Sequence, residues 1–329
     1  MNVSVAANKG RDDQTDNNLD RDGNTSGDAA SRPRPRAIDP DEPAARVIRT
    51  AIVNGLGRMR ASTERARRGE VDGIHRLRTS TRRLRSTFRS FKGLVETGWA
   101  DGFEAELKWL AGLLGAVRDL DVLRERLRLA AGEWVEDLGP LFTALAERHA
   151  RASEASSAAL QGERHERLIA VLDEAAGRPA LRDEANAPCR SALPPLIAAT
   201  WSKLKKRGRA LAPTDPDEDF HEVRKRAKRA RYTAEAVAPA LGPDLAGDAE
   251  RFVRLATTVQ DVLGEHQDAV GACREVLRLV AERPQDGRFN LAAGRLLERQ
   301  EHAASAARSR FFEVWAKLDR KKVTRWLRG

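Results

Sequence analysis

The chain has 329 residues, 41% of them hydrophobic and 33% charged, with a net charge of +10. This is enough apolar material for a large core, yet no apolar run approaches the ~20 residues needed to cross a bilayer. Cys189 and Cys273 stand far apart without CxxC spacing, which argues against a disulfide framework or a cysteine zinc site and fits free thiols in a cytoplasmic protein.

Residues 1–43 read as a disordered polar tail, rich in Asp, Asn, Gly and Ser and finishing in "SRPRPRAIDPDEP". Their polar, acidic start has no basic opening and apolar middle of the secretory kind. They carry six basic and nine acidic residues, which leaves +13 on the remainder of the chain. A body this basic suits a polyanion: nucleic acid, an acidic membrane or a phosphate polymer.

Helical patterns follow one another through that body, and no alternating strand pattern of useful length occurs. Asp39 or Asp41 starts the first, with Pro43 in its first turn, and Gly69 breaks it. Asp72 caps a second helix over about 73–97, and Gly98 and Asp101 punctuate before "FEAELKWLAGLLGAVRDLDVLRERLRLA". Two more cover 137–161 and 163–176, and Gly177, Pro179 and the "NAP" at 186–188 mark the midpoint of the body. The second half repeats the order: the basic amphipathic "LPPLIAATWSKLKKRGRAL", the breaker "APTDPDED", a basic helix stopped at Gly242-Pro243, then a long helix containing "VQDVLGEHQDAV". The spacing predicts an all-α duplication, with a first bundle over 44–178 and a second over 179–329. The closing "FFEVWAKLDRKKVTRWLRG" is amphipathic and basic, and reads as a packed final helix rather than a membrane anchor.

The repeat is clearest in "VDGIHRLRTSTRRLR" at 71–85 and "DFHEVRKRAKRARY" at 219–232. At about 100° per residue, His75, Arg78, Arg82, Arg85 and Arg89 share an arc of about 80°, beside an apolar stripe of Ile74, Leu77, Thr81, Leu84, Phe88 and Phe91. The second copy places His221, Arg224, Lys228 and Arg231 beside Phe220, Val223, Ala227, Ala230, Ala234 and Val237. Each helix thus packs by one stripe and carries a cationic ridge along its border. Residues 75–92 contain no acid, so like charges at three- and four-residue spacing repel and the helix gives up local stability to keep them together. Two such ridges facing one groove concentrate a polyanion. Arginine offers phosphate a planar fork of donors, and histidine adds an N–H. A bland alternative is ion pairing with acids of other helices, for which Asp119, Asp121 and Asp268 are available; the two roles are compatible. A second echo joins Leu114, Gly115 and Asp119 to Leu263, Gly264 and Asp268.

The pattern His-x-x-Arg-x-x-x-(Arg/Lys)-Arg-x-Arg at 75–85 and again at 221–231 resembles the CHAD domain, the conserved histidine α-helical domain. "LGAVRDLDVL" at 114–123 and "KRARYTAEAV" at 228–237 are also similar to that family, and the resemblance spans about 44–328. It implies two helical bundles related by a pseudo-two-fold around a basic central cavity, binding of inorganic polyphosphate, and association with polyphosphate granules. Carried over by position, the ligand residues are His75, Arg78, Arg82, Arg83 and Arg85, with His221, Arg224, Lys228, Arg229 and Arg231. Arg83 and Arg229 lie about 80° beyond the histidine, off the ridge. Arg89 and Lys225 join the set by spacing alone. Some relatives carry a triphosphate-processing domain, and nothing here resembles one.

The expectation is therefore a cytoplasmic, non-enzymatic polyphosphate-binding protein without cofactor or metal. The main alternative is nucleic-acid binding, which has the same electrostatics, but the ridges lack aromatics for stacking bases. A histidine phosphotransfer module does not need so many further cations. A metal site from His75, His221 and His266 with Asp119 or Asp268 would suffer repulsion by the arginines. His149, His165 and His302 read as surface histidines.

Overall fold

Leu77, Leu84 and Phe88 are almost fully buried, each worth roughly 2 kcal/mol of burial, and they fix which border of their helix faces outward. This arrangement recurs through a computed structural model that describes residues 38–70 and 72–328. The helices run α1 (Ala44–Arg67), α2 (Gly73–Ser90), α3 (Thr97–Ala131), α4 (Gly139–Gln161), α5 (Glu163–Gly177), the single turn α6 (Cys189–Ala192), α7 (Pro194–Ala210), α8 (Asp217–Val237), α9 (Pro243–Glu282), α10 (Gly287–Leu318) and the single turn α11 (Lys321–Thr324). Among the described residues there is no strand, only two isolated bridges. The protein is all-α.

In the first half α2 packs between α1 and α3; in the second, α8 packs between α7 and α9; and α2 touches α8 directly. The Ser90 and Thr233 hydroxyls, 2.9 Å apart and buried, join the two histidine-led helices. One core runs through both halves, from Val47 and Leu84 to Val223 and Phe311. A second cluster binds the far ends of α3 and α9 to α4 and α10, with Leu127, Leu145, Val276 and Leu296 at its centre.

Gly69 and Gly242 take positive φ, 68° and 80°, so each break falls where only glycine turns the chain cheaply. The second helix ends at Ser90 rather than 97. The chain returning at 180–182 pairs with it there: Glu96 N–H donates to Ala180 O and Arg182 N–H to Leu94 O, both at 3.0 Å. Backbone groups that a longer helix would have used internally are thus satisfied from outside. Gly98 and Asp101 do not break the chain but sit in the opening turns of α3. Asp72 precedes α2 without a side-chain cap bond; its carboxylate lies 3.8 Å from Arg76.

The polar stretch 1–37 lies outside the described residues. Ile38 packs on the main core, and Pro43 forms a bridge to Pro188. At the other end Trp326 and Leu327 are buried, so the final basic segment does pack, though not as one helix: α10 ends at Leu318, and single turns at Lys321–Thr324 and Arg325–Arg328 follow. No helix among the described residues is long and apolar enough to cross a membrane.

Candidate anion-binding site

His75 stands one turn into α2, half-buried, with Arg118 of α3 and Arg82 and Arg78 of its own helix close enough to bear on its charge. Burial, then those three cations, push its imidazole below the ordinary range. His221 on α8 is shifted the same way by burial and by Lys225, and its side chain hydrogen-bonds Gln267 of α9. Each histidine also keeps a buried Nδ1 with no hydrogen-bond partner among the described residues.

The arginine three residues on repeats this symmetry. Arg78 lies against Gly115, where an added Cβ would stand 3.7 Å from its Nε, and Arg224 lies against Gly264, with Nη2 at 3.4 Å. A glycine at each of these α3 and α9 positions lets a guanidinium rest on the helix backbone. Arg78 donates to Asp119 at 2.8 Å. Burial works most strongly against its charge, Asp119 supports it, and Arg82, Arg118 and Arg224 oppose it. Arg224 belongs to the other half, so the two ridges meet in one electrostatic neighbourhood. Burial pushes the Asp268 carboxyl up while Arg224 and Arg126 draw it down, and Asp119 across the site raises it further.

The remaining expected residues divide. Arg85 is half-buried beside Arg89 and near Tyr232 of α8, and Arg82 and Lys228 are half-buried on their ridges. Arg89, exposed, is held by Glu104, with Nε 2.6 Å from the carboxylate, and Lys225 is held by Glu222. Arg83 is exposed and bears on Arg58 of α1, away from the ridge; Arg229 is exposed on the matching face of α8. Arg231 is buried, its guanidinium 4.4 Å from the Tyr232 ring centroid and 3.7 Å from Glu235.

Arg118 and Gln267 were absent from the expected set, yet Arg118 bears on the charge of His75 and Gln267 hydrogen-bonds His221. They are related by the same offset that joins Gly115 to Gly264, so the signal lay in "LGAVRD" and "LGEHQD". His266 is buried against Arg308 Nε and Asp217 Oδ1, each at 3.1 Å, which takes it out of any shared site with His75 and His221. His165 is also buried, on the stripe of α5 that carries Leu168 and Leu172, whereas His302 is exposed. Among the described residues no cluster of three His, Cys, Asp or Glu could hold a metal ion.

Residues 50–277 match the family model of the CHAD domain. Uncharacterised proteins of two Mycobacterium tuberculosis strains are 27% identical over 288 residues, 84% of this chain, and the chain spans half the length of those relatives. PptA from Streptomyces chartreusis superposes with a TM-score of 0.71 at 23% identity, covering 83% of this chain and 99% of PptA. The CHAD domain of the plant Ricinus communis does so at 0.65 and 23% identity, covering 86% and 97%. With its duplicated histidine-led helices and a match across most of its length, this chain belongs to the CHAD domain family.

Proposed function

We propose that the chain binds inorganic polyphosphate along the neighbouring ridges of α2 and α8, holds it without cleaving it, and does so in the cytoplasm on polyphosphate granules. The observation carrying this reading is that Arg78 and Arg224, one from each half, act on one another's charge while each rests on a glycine of the neighbouring helix, Gly115 of α3 and Gly264 of α9. Cations held together against their repulsion call for a ligand of many negative charges. The family resemblance points to the same polymer. Arginine forks bind its oxygens, and the histidines add donors. The acids fit this role as well: Asp119 stands in for phosphate on Arg78 and yields its place when the polymer arrives.

Nucleic acid fits less well, because the aromatics nearest the ridges are occupied. Phe88 is stacked on Phe103 at 4.9 Å, and Tyr232 lies buried beneath Arg231. Neither can stack a base. Competition separates the two ligands: long polyphosphate displaces DNA at far lower phosphate concentration than DNA displaces polyphosphate. The reverse order would transfer the site to nucleic acid.

The histidines supply a pH test. His75, His165, His221 and His266 are all lowered, with burial as the largest cause. Unfolding returns each to its ordinary 6.5, so below that pH the unfolded chain holds more protons than the folded one. Folding stability is fully present above 6.5 and is lost as pH falls toward the depressed folded values. A phosphate chain beside His75 and His221 opposes their shift, so binding takes up protons and affinity rises from pH 8 to about 6. Calorimetry in buffers of different ionisation enthalpy reads that uptake directly. Proton release on binding would remove the histidines from the site.

A further inference from the structure

A cavity of about 600 Å³ opens between the start of α3 and α5, lined by none of the ridge residues. Trp99 and Phe103 form its aromatic side, edge to face with centroids 5.0 Å apart, with Phe88 of α2 stacked behind. Leu168, Val171 and Ala175 of α5 form the opposite wall, and Val171 is left 51% exposed. Three arginines and two glutamates complete the lining. Arg164 is already committed: its Nε and Nη2 donate to Glu106 at 2.9 and 3.0 Å, and its guanidinium sits 4.1 Å from the Trp109 ring centroid. Arg167 pairs with Glu163 of its own helix, where both side chains are largely in solvent and the pair is weak. Arg178 makes no ion pair among the described residues. The cavity thus joins an apolar slot to two cations able to accept a new anion.

The duplication provides an internal comparison. The offset that relates Gly115 to Gly264 relates Phe103 to Phe252. In the second half the C-terminal turn brings Trp326 edge-on to Phe252 at 6.2 Å, Trp201 meets it at 5.6 Å, and Phe252 is fully buried. In the first half Phe103 packs on Phe88 and Trp99, and the apolar side chains that α5 contributes to the cavity are all aliphatic. A ring beside Val171 would give Phe103 an aromatic partner on the α5 side, as Trp326 gives one to Phe252. We infer that the α3–α5 cavity binds a small planar aromatic anion, its ring between Phe103 and Val171 and its acidic group at Arg167 and Arg178. The volume is that of a small-molecule site.

The probe for the test is anilinonaphthalene sulfonate, with uncharged phenylnaphthylamine as its partner. Gly102 lines the cavity and a Cβ added there meets nothing within 4 Å, so a side chain can start from this position and Gly102→Trp sets an indole at the cavity. Fluorescence titration is expected to give one bound sulfonate per chain, weakened at least about tenfold by Gly102→Trp and about three- to tenfold by R167A/R178A. Phenylnaphthylamine should bind the parent no better than the sulfonate binds R167A/R178A. R78E/R82E, on the ridge, should leave the titration unchanged. The inference is overturned if Gly102→Trp binds the sulfonate like the parent, or if R78E/R82E weakens it as much, which would place the probe on the ridge. It is equally overturned if the uncharged amine matches the sulfonate, since the cavity would then be an apolar seat for a partner's side chain. Should Gly102→Trp lose its helical signal, the arginine pair and the uncharged probe decide the matter.

Discussion

R78E/R82E binds polyphosphate at least about a hundredfold more weakly than the parent, while its far-ultraviolet circular dichroism is unchanged. A hydrogen bond to a charged group contributes about 1.5–3 kcal/mol, so losing two amounts to two to four decades, and the new carboxylates add repulsion. The fold survives because the substitutions leave the buried stripe of Leu77, Leu84 and Phe88 in place. The carboxylate introduced by Arg78→Glu would face Asp119, but Asp119 is 71% exposed and its pair with Arg78 contributes little to stability. R224E/K228E is expected to lose binding to the same degree at a larger cost in stability. Asp268 is more deeply placed, and burial already works against its charge; losing Arg224 leaves Arg126 as its remaining cation. Filter binding with polyphosphate of defined length, beside urea unfolding, reads both quantities. Parent-like binding by either double variant would rule out a polymer held by both ridges.

The sequence carried much of this architecture because the repeat made each local signal count twice. The helices expected at 137–161 and 163–176 run Gly139–Gln161 and Glu163–Gly177, bounded by glycines visible in the chain. The border position of the ridges also followed from periodicity alone. What periodicity could not give was depth. Arg85 and Arg231 occupy equivalent places, yet Arg85 is half-buried and Arg231 fully so. The neighbouring stripe is Thr81, Leu84 and Phe88 on α2 but Ala227, Ala230 and Ala234 on α8, and small side chains let α8 sink further among its neighbours. The early end of α2 was hidden for a different reason, since its partner at 180–182 is remote in sequence. The α3–α5 cavity has no motif at all; the apolar residues that line it from α5 are Leu168, Val171 and Ala175, far from Phe103 in sequence.

Salt should weaken polyphosphate binding steeply, and its slope counts the cations that contribute. Arg89 and Lys225 are held by the more enclosed Glu104 and Glu222, so they have little charge left to offer, whereas the Asp119 that pairs with Arg78 is largely exposed and can give way. The cations expected to matter are Arg78, Arg82, Arg85 and Arg118 on one side and Arg224 and Lys228 on the other. If each displaces counterions as on a flexible single strand, about 0.7 per contact, six give a slope near −4 in log affinity against log salt. Raising salt from 50 to 200 mM then costs about 300-fold. R78E/R82E should flatten the slope by at least about 1.4, whereas Lys225→Gln should hardly move it. An affinity that ignores salt cannot come from charges of this kind. A slope that survives R78E/R82E would mean that the polymer lies along other cations, since counterion release is indifferent to helix geometry and records only which charges the phosphates reach.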